Sequence, residues 1–222
     1  MSVSIHRLRR PGRANESIEQ PLSHAERAVM INSAEAKLAE LFDVLQIDHR
    51  NDHHTRDTPR RVARMFVEEI MHGRYSDPPA LTDFDNVEAF DQLIVSGPIE
   101  IRSTCAHHLM PIYGEAYIGV LPSIDGRIIG LSKYDRVVHY FGARLQIQEE
   151  LVKQIGQFIM DRTAPRGVAV RISAVHMCKT HRGVRATHRS RMVTSAYYGV
   201  IADDEALKQE FLHECLGLQR GD

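Results

Sequence analysis

A chain of 222 residues, 43% of them hydrophobic, can bury one substantial core but hardly two, so a single domain is expected. Its 28 Lys and Arg against 29 Asp and Glu create no global field toward nucleic acid or a membrane surface, and neither is expected as a partner. The basic first segment lacks a signal peptide's apolar stretch and no run is long enough to span a bilayer, which reads as cytoplasmic; in that reducing compartment each of the 3 cysteines is a packing residue, a nucleophile or a metal ligand.

Residues 1–20 carry Arg7, Arg9, Arg10 and Arg13 with few large apolar side chains, so a flexible tail is expected, and residues 21–222 form the domain. Ser23 with Glu26 makes a capping box before a long helix whose apolar face is Val29, Ala36, Leu38, Leu41, Phe42 and Leu45. A polar loop over 49–57 leads to a second helix with Thr58 at its cap, Pro59 in its first turn and Gly73 just past its end, burying Val62, Met65, Phe66 and Ile70. These helices occupy 23–73.

A Pro- and Asp-rich linker over 76–85 precedes a change of period. Segments 92–96, 99–104, 116–121 and 127–130 read as strands, separated by turns at Gly97-Pro98, Pro122 and Asp125-Gly126. Ser132 is placed to cap a helix striped with Val137, Val138 and Phe141, and another helix begins near Ile147. Segments 168–177 and 192–201 return to strand character before a C-terminal helix over 203–217. This grouping predicts an α+β fold, an antiparallel sheet with helices on one face, whose open edges call for pairing with further copies.

The densest reactive stretch is STCAHHLMP, where Cys105 and His108 have metal-ligand spacing and His107 lies between them. Thiolate with imidazole favours zinc, whose catalytic sites take about three protein ligands and leave one position for water, so a third ligand is needed elsewhere. Taken alone, Cys-x-x-His also arises by chance. A second cluster, HMCKTHRGV, puts His176, Cys178, Lys179, His181 and Arg182 at the end of an apolar strand; taken alone it reads equally as a buried Cys beside solvated charges. Ser132, Lys133 and Arg136 open a helix, suiting either an anion or a plain capped surface helix. Gln148 and Glu149 offer either a carboxylate to read guanine or ordinary first-turn charge placement. Cys215, between Leu212 and Leu216, reads as a packing residue.

Together STCAHHLMP, GLSKYDRVV, RLQIQEELVKQI, HMCKTHRGV and MVTSAYYGV, with TPRRVARMF before them, resemble the GTP cyclohydrolase I family from about Ala34 to about Leu212. The resemblance implies a T-fold over 90–202 with an N-terminal helical extension, chains joined through their sheets into a toroidal barrel, a homodecamer, and sites between subunits. It implies GTP as substrate, with 7,8-dihydroneopterin triphosphate and formate as products, at the first step of pterin and tetrahydrofolate synthesis. It assigns Zn2+ to Cys105, His108 and Cys178, and proton transfer to His107 and His176. Guanine reading falls to Gln148 and Glu149, the ribose rearrangement to Ser132, and the triphosphate to Lys133, Arg136 and Arg182.

The chain departs from the family pattern beside the metal, where Ala106 replaces a usual Glu, and after Cys178, where Lys179-Thr180-His181 replaces a commonly Met-containing stretch. Loss of that carboxylate bears on the pKa of bound water and of His107. Two alternatives share these motifs: a paralogue feeding 7-deazapurine synthesis, and a GTP-binding relative with reduced turnover. Nitrile reduction on a related fold requires a nucleophilic Cys in a different motif.

Overall fold

The computed structural model describes residues 12–220, which divide into two compact units between Asp77 and Pro78. In the first unit, α1 (His24–Val44) opens on the expected capping box: Ser23 Oγ accepts from the Glu26 N–H at 3.3 Å, and the Glu26 carboxylate accepts from the Ser23 N–H at 2.8 Å. Its C-terminal half is less buried than its apolar face implies, with Leu41, Val44 and Leu45 exposed. α2 (Thr58–Arg64) has Asp57 rather than Thr58 at its N-cap position, without a side-chain capping bond, and runs into a π-helical segment (Met65–Ile70), where the Met71 N–H reaches back to the Phe66 carbonyl at 3.0 Å.

The buried positions are Ala63 and Val67, with Val62, Met65, Phe66 and Ile70 half-buried. Gly73 lies inside α3 (His72–Tyr75) rather than beyond a helix end. Leu22, Ile31, Ala63, Val67 and Tyr75 form the unit's core. The expected tail needs correction where it is described: Arg74 donates to the carbonyls of Arg13 and Glu16, Ile18 donates to the Arg74 carbonyl, and Asn15 is buried. Backbone hydrogen bonds to one guanidinium order a segment poor in apolar side chains; residues 1–11 lie outside the described residues.

The second unit is α+β. A two-stranded ribbon pairs β1 (Asp83–Asp85) with β4 (Arg127–Ile129). The main sheet has the order β5-β2-β3-β6-β7, built from β2 (Ile94–Cys105), β3 (Pro111–Leu121), β5 (Leu145–Gln146), β6 (Gly167–His176) and β7 (Arg191–Gly199). All neighbours are antiparallel except β2 with β5. Gly97-Pro98 is not the predicted turn: β2 runs through it, with the register shifting between Ser96 and Ile99. Proline lacks the N–H a ladder needs, so the strand bulges and resumes.

On one sheet face, α4 (Ser132–Gly142) and α5 (Gln148–Thr163) bury Ile101, Ile118, Val137, Ile155, Ile159 and Ile172. On the opposite face Tyr117 and Ala169, out of phase with Ile118 and Val170, pack with Phe211 and Cys215 of α8 (Glu205–Arg220). Helices therefore cover both faces, not one. The final strand stops at Gly199, α7 (Val200–Asp203) follows, and the C-terminal helix begins later and runs further than predicted. Cys215 is buried, in keeping with its packing role. Among the described residues no helix is long and apolar enough to cross a membrane.

Candidate functional site

The site is built at one end of the main sheet. β2 ends at Cys105, and the chain reverses into β3 through a tight turn in which the Cys105 N–H donates to the Met110 carbonyl (2.8 Å) and the Leu109 N–H to the Cys105 carbonyl (2.9 Å). Leu109 takes a positive φ of 53° there. Because Ile112 pairs with His176, β6 finishes beside this hairpin, and α6 (Met177–Thr180) carries Cys178 across it. β5 closes the other side: Cys105 pairs with Gln146, whose carbonyl accepts the Ala106 N–H at 3.0 Å.

This register brings the ligand atoms of Cys105, His108 and Cys178 within 4.8 Å of one another. Bond lengths of about 2.3 Å to sulfur and about 2.0 Å to nitrogen put tetrahedral ligands roughly 3.5–3.8 Å apart, so the cluster fits a metal ion with little rearrangement. Cys105 is buried, Cys178 half-buried and His108 exposed, which leaves the group open on one side. Burial, then the Cys105 sulfur beside it, pushes the Cys178 thiol above its ordinary pKa, a penalty a bound cation would reverse. The exposed His107 lies at the same hairpin, its Nδ1 3.8 Å from the Cys105 sulfur.

His176 is half-buried, with Nε2 2.8 Å from Gln148 Oε1. Burial holds its imidazole below the ordinary value; Glu149 opposes that shift and Lys179 adds to it. Gln148 is 1% exposed, and its amide nitrogen donates to the Ile172 carbonyl, the Met192 carbonyl and Thr194 Oγ1. Both polar atoms of Gln148 are thus engaged within the chain, whereas Glu149 is exposed. Arg182, also exposed, is close enough for its charge to act on Cys178, and Lys179 is tied to Ser190 at 2.8 Å.

Ser132, Lys133 and Arg136 do not join this group. Ser132 is the first residue of α4 rather than its cap, which is Leu131. The helix follows β4, which leaves from the Leu121 end of β3, and it finishes with Gly142 against the Arg102 carbonyl. At about 1.5 Å per helical residue and about 3.3 Å per strand residue, Ser132 sits on the order of 20 Å from Cys105.

Sequence reasoning missed Gln146, which carries the Ala106 N–H, and Thr194, which helps hold Gln148. They stand within the RLQIQEELVKQI and MVTSAYYGV strings, but neither string marks the partner of either residue.

The model of the family described as GTP cyclohydrolase I matches residues 34–216. The chain belongs to the GTP cyclohydrolase I family. Its relatives include the GTP cyclohydrolase 1 of Mycolicibacterium vanbaalenii, 41% identical over 181 residues, covering 81% of this chain and 87% of that protein. The enzyme of the same name from Shewanella baltica is 38% identical over 181 residues, with 81% and 82% covered. That of Carboxydothermus hydrogenoformans is 42% identical over 155 residues, with 70% and 79% covered. An archaeosine synthase QueF-Like structure in the apo form superposes with a TM-score of 0.37 at 14% identity over 55% of this chain and 97% of that one. The family match spans β2 to β7, the elements that carry the Cys105, His108 and Cys178 group.

Proposed function

We propose that this chain is a zinc-dependent GTP cyclohydrolase I that converts GTP to 7,8-dihydroneopterin triphosphate and formate. The observation that carries the reading is the convergence of Cys105, His108 and Cys178 within 4.8 Å in a chain of this family. Two thiolates and an imidazole are a zinc donor set, and the open side leaves room for water. Held by those three residues, zinc would supply Lewis acidity and would lower the pKa of water for hydrolysis at carbon 8 of guanine.

The chain's own residues supply the rest. Glu149 accepts from the ring N–H and exocyclic amine of guanine, an edge that adenine lacks. His107, beside the metal group, and His176, whose pKa burial lowers, exchange protons as the imidazole ring opens and formate leaves. Ser132 assists the ribose rearrangement, while Lys133, Arg136 and Arg182 offset the triphosphate charge.

Because Ser132, Lys133 and Arg136 lie a helix length from the metal group of their own chain, they serve the site of a neighbouring copy. That supports the homo-oligomer, a decamer closed into a toroidal T-fold barrel, which the family resemblance implies. We place the enzyme in the cytoplasm, where thiol ligands stay reduced, in pterin and folate synthesis. The test is to incubate metal-replete protein with GTP and measure formate, together with a pterin that fluoresces after oxidation. Absence of both products would overturn the proposal.

A further inference from the structure

Gln148 is a fully engaged polar side chain at a site where most polar groups face solvent. Its amide nitrogen meets the Ile172 carbonyl at 3.2 Å, the Met192 carbonyl at 3.1 Å and Thr194 Oγ1 at 3.1 Å. These acceptors come from two neighbouring strands whose register pairs Ile172 with Thr194 and Ala174 with Met192. Backbone carbonyls accept and never donate, so the amide has one permitted orientation, with its NH2 toward the strands and Oε1 away from them. Turning it over would set oxygen against two carbonyl oxygens at a position 1% exposed, shielded from bulk solvent.

Oε1 then lies 2.8 Å from His176 Nε2. An amide oxygen can only accept, so that nitrogen must carry the hydrogen. We infer that Gln148 is a positioning residue that holds the hydrogen of the His176 ring on Nε2, leaving Nδ1 as the nitrogen offered to substrate. The opposite tautomer would face the lone pair of Nε2 against those of Oε1. The inference rests on the proposed proton-transfer role of His176, and it replaces guanine recognition as the reason for a glutamine at this position.

The test is magic-angle-spinning nitrogen NMR of sedimented protein labelled in histidine, at mildly alkaline pH where the ring is neutral. The His176 signals are assigned by their loss in His176→Asn. Expected in the wild type is a protonated Nε2 with an unprotonated Nδ1, and in Gln148→Leu a mixture of tautomers. Turnover of GTP in that variant should fall about tenfold or more, with KM changed by less than about twofold. Thr194→Val, a milder change that leaves both carbonyls in place, should keep the wild-type tautomer.

A wild-type His176 protonated on Nδ1 would overturn the inference, as would a Gln148→Leu enzyme with raised KM and intact kcat. Should Gln148→Leu fail to fold, the wild-type and Thr194→Val spectra still decide it. A protein that turns over no GTP would refute the functional reading while leaving the tautomer measurement valid.

Discussion

Two dead variants of this chain should revive each other. The metal group lies at one end of β2, and the Ser132, Lys133 and Arg136 set begins α4 on the order of 20 Å away, several times the reach of a lysine side chain. If each site draws its metal ligands from one copy and its phosphate-binding set from another, the two lesions segregate. Cys178→Ala spoils only the site to which its own chain brings metal; Lys133→Ala with Arg136→Ala spoils only the site to which its chain brings cations.

Co-expressed at equal levels and purified through two different tags, mixed assemblies should hold both intact sets in about 25% of sites, from random assortment around a closed ring. Formate release should therefore recover to about 25% of the wild-type rate per chain, against almost none for either variant alone. Mixed assemblies as inactive as their parents would show that the α4 residues serve their own chain's site or none. The placement of the triphosphate would then be wrong.

Alone, Cys178→Ala should lose its metal, measured by elemental analysis, together with at least about 100-fold in turnover; metal retained at full occupancy would remove it from the ligand set. His107→Ala should keep the metal while turnover drops by about 100- to 10,000-fold, and an unchanged rate would end its proton-transfer role. Gly156→Ala tests packing far from the chemistry. A Cβ there would lie 2.3 Å from Cε2 of Tyr198, whose hydroxyl donates to the Lys153 carbonyl at 2.9 Å. Overpacking of about 1–3 kcal/mol outweighs the gain in helix propensity of about 1 kcal/mol, so the urea midpoint should fall; a midpoint held or raised would mean the ring swings aside.

What the sequence made legible was local. The Ser23 and Glu26 box, the apolar run of β6 and the Cys105 to His108 spacing are set within a few residues and reappear in the structure. Cys178 acquired its standing only from the set of motifs as a whole, because what carries it to Cys105 is strand register. Gly97-Pro98 looked like a turn since proline breaks ladders, but the surrounding pairing was strong enough to absorb it as a bulge.

The role of Gln148 could not be read from its first-turn position. Its partners lie 24 and 44 or more residues further along the chain. The distance of Ser132 from the metal group is likewise a property of helix direction, to which a motif string is blind.

The nearness of Cys105 and Cys178 has a chemical cost. Their sulfur atoms lie within 4.8 Å of each other, so without an ion to occupy them they form a vicinal dithiol, one partner shielded and the other half open. An oxidant that removes two electrons and two protons would close them into a disulfide, cross-linking the end of β2 to α6 and abolishing the cation's seat. Chelated enzyme kept in air should therefore resist reloading until a reductant is added, and its shelf life becomes a matter of redox handling as much as of folding.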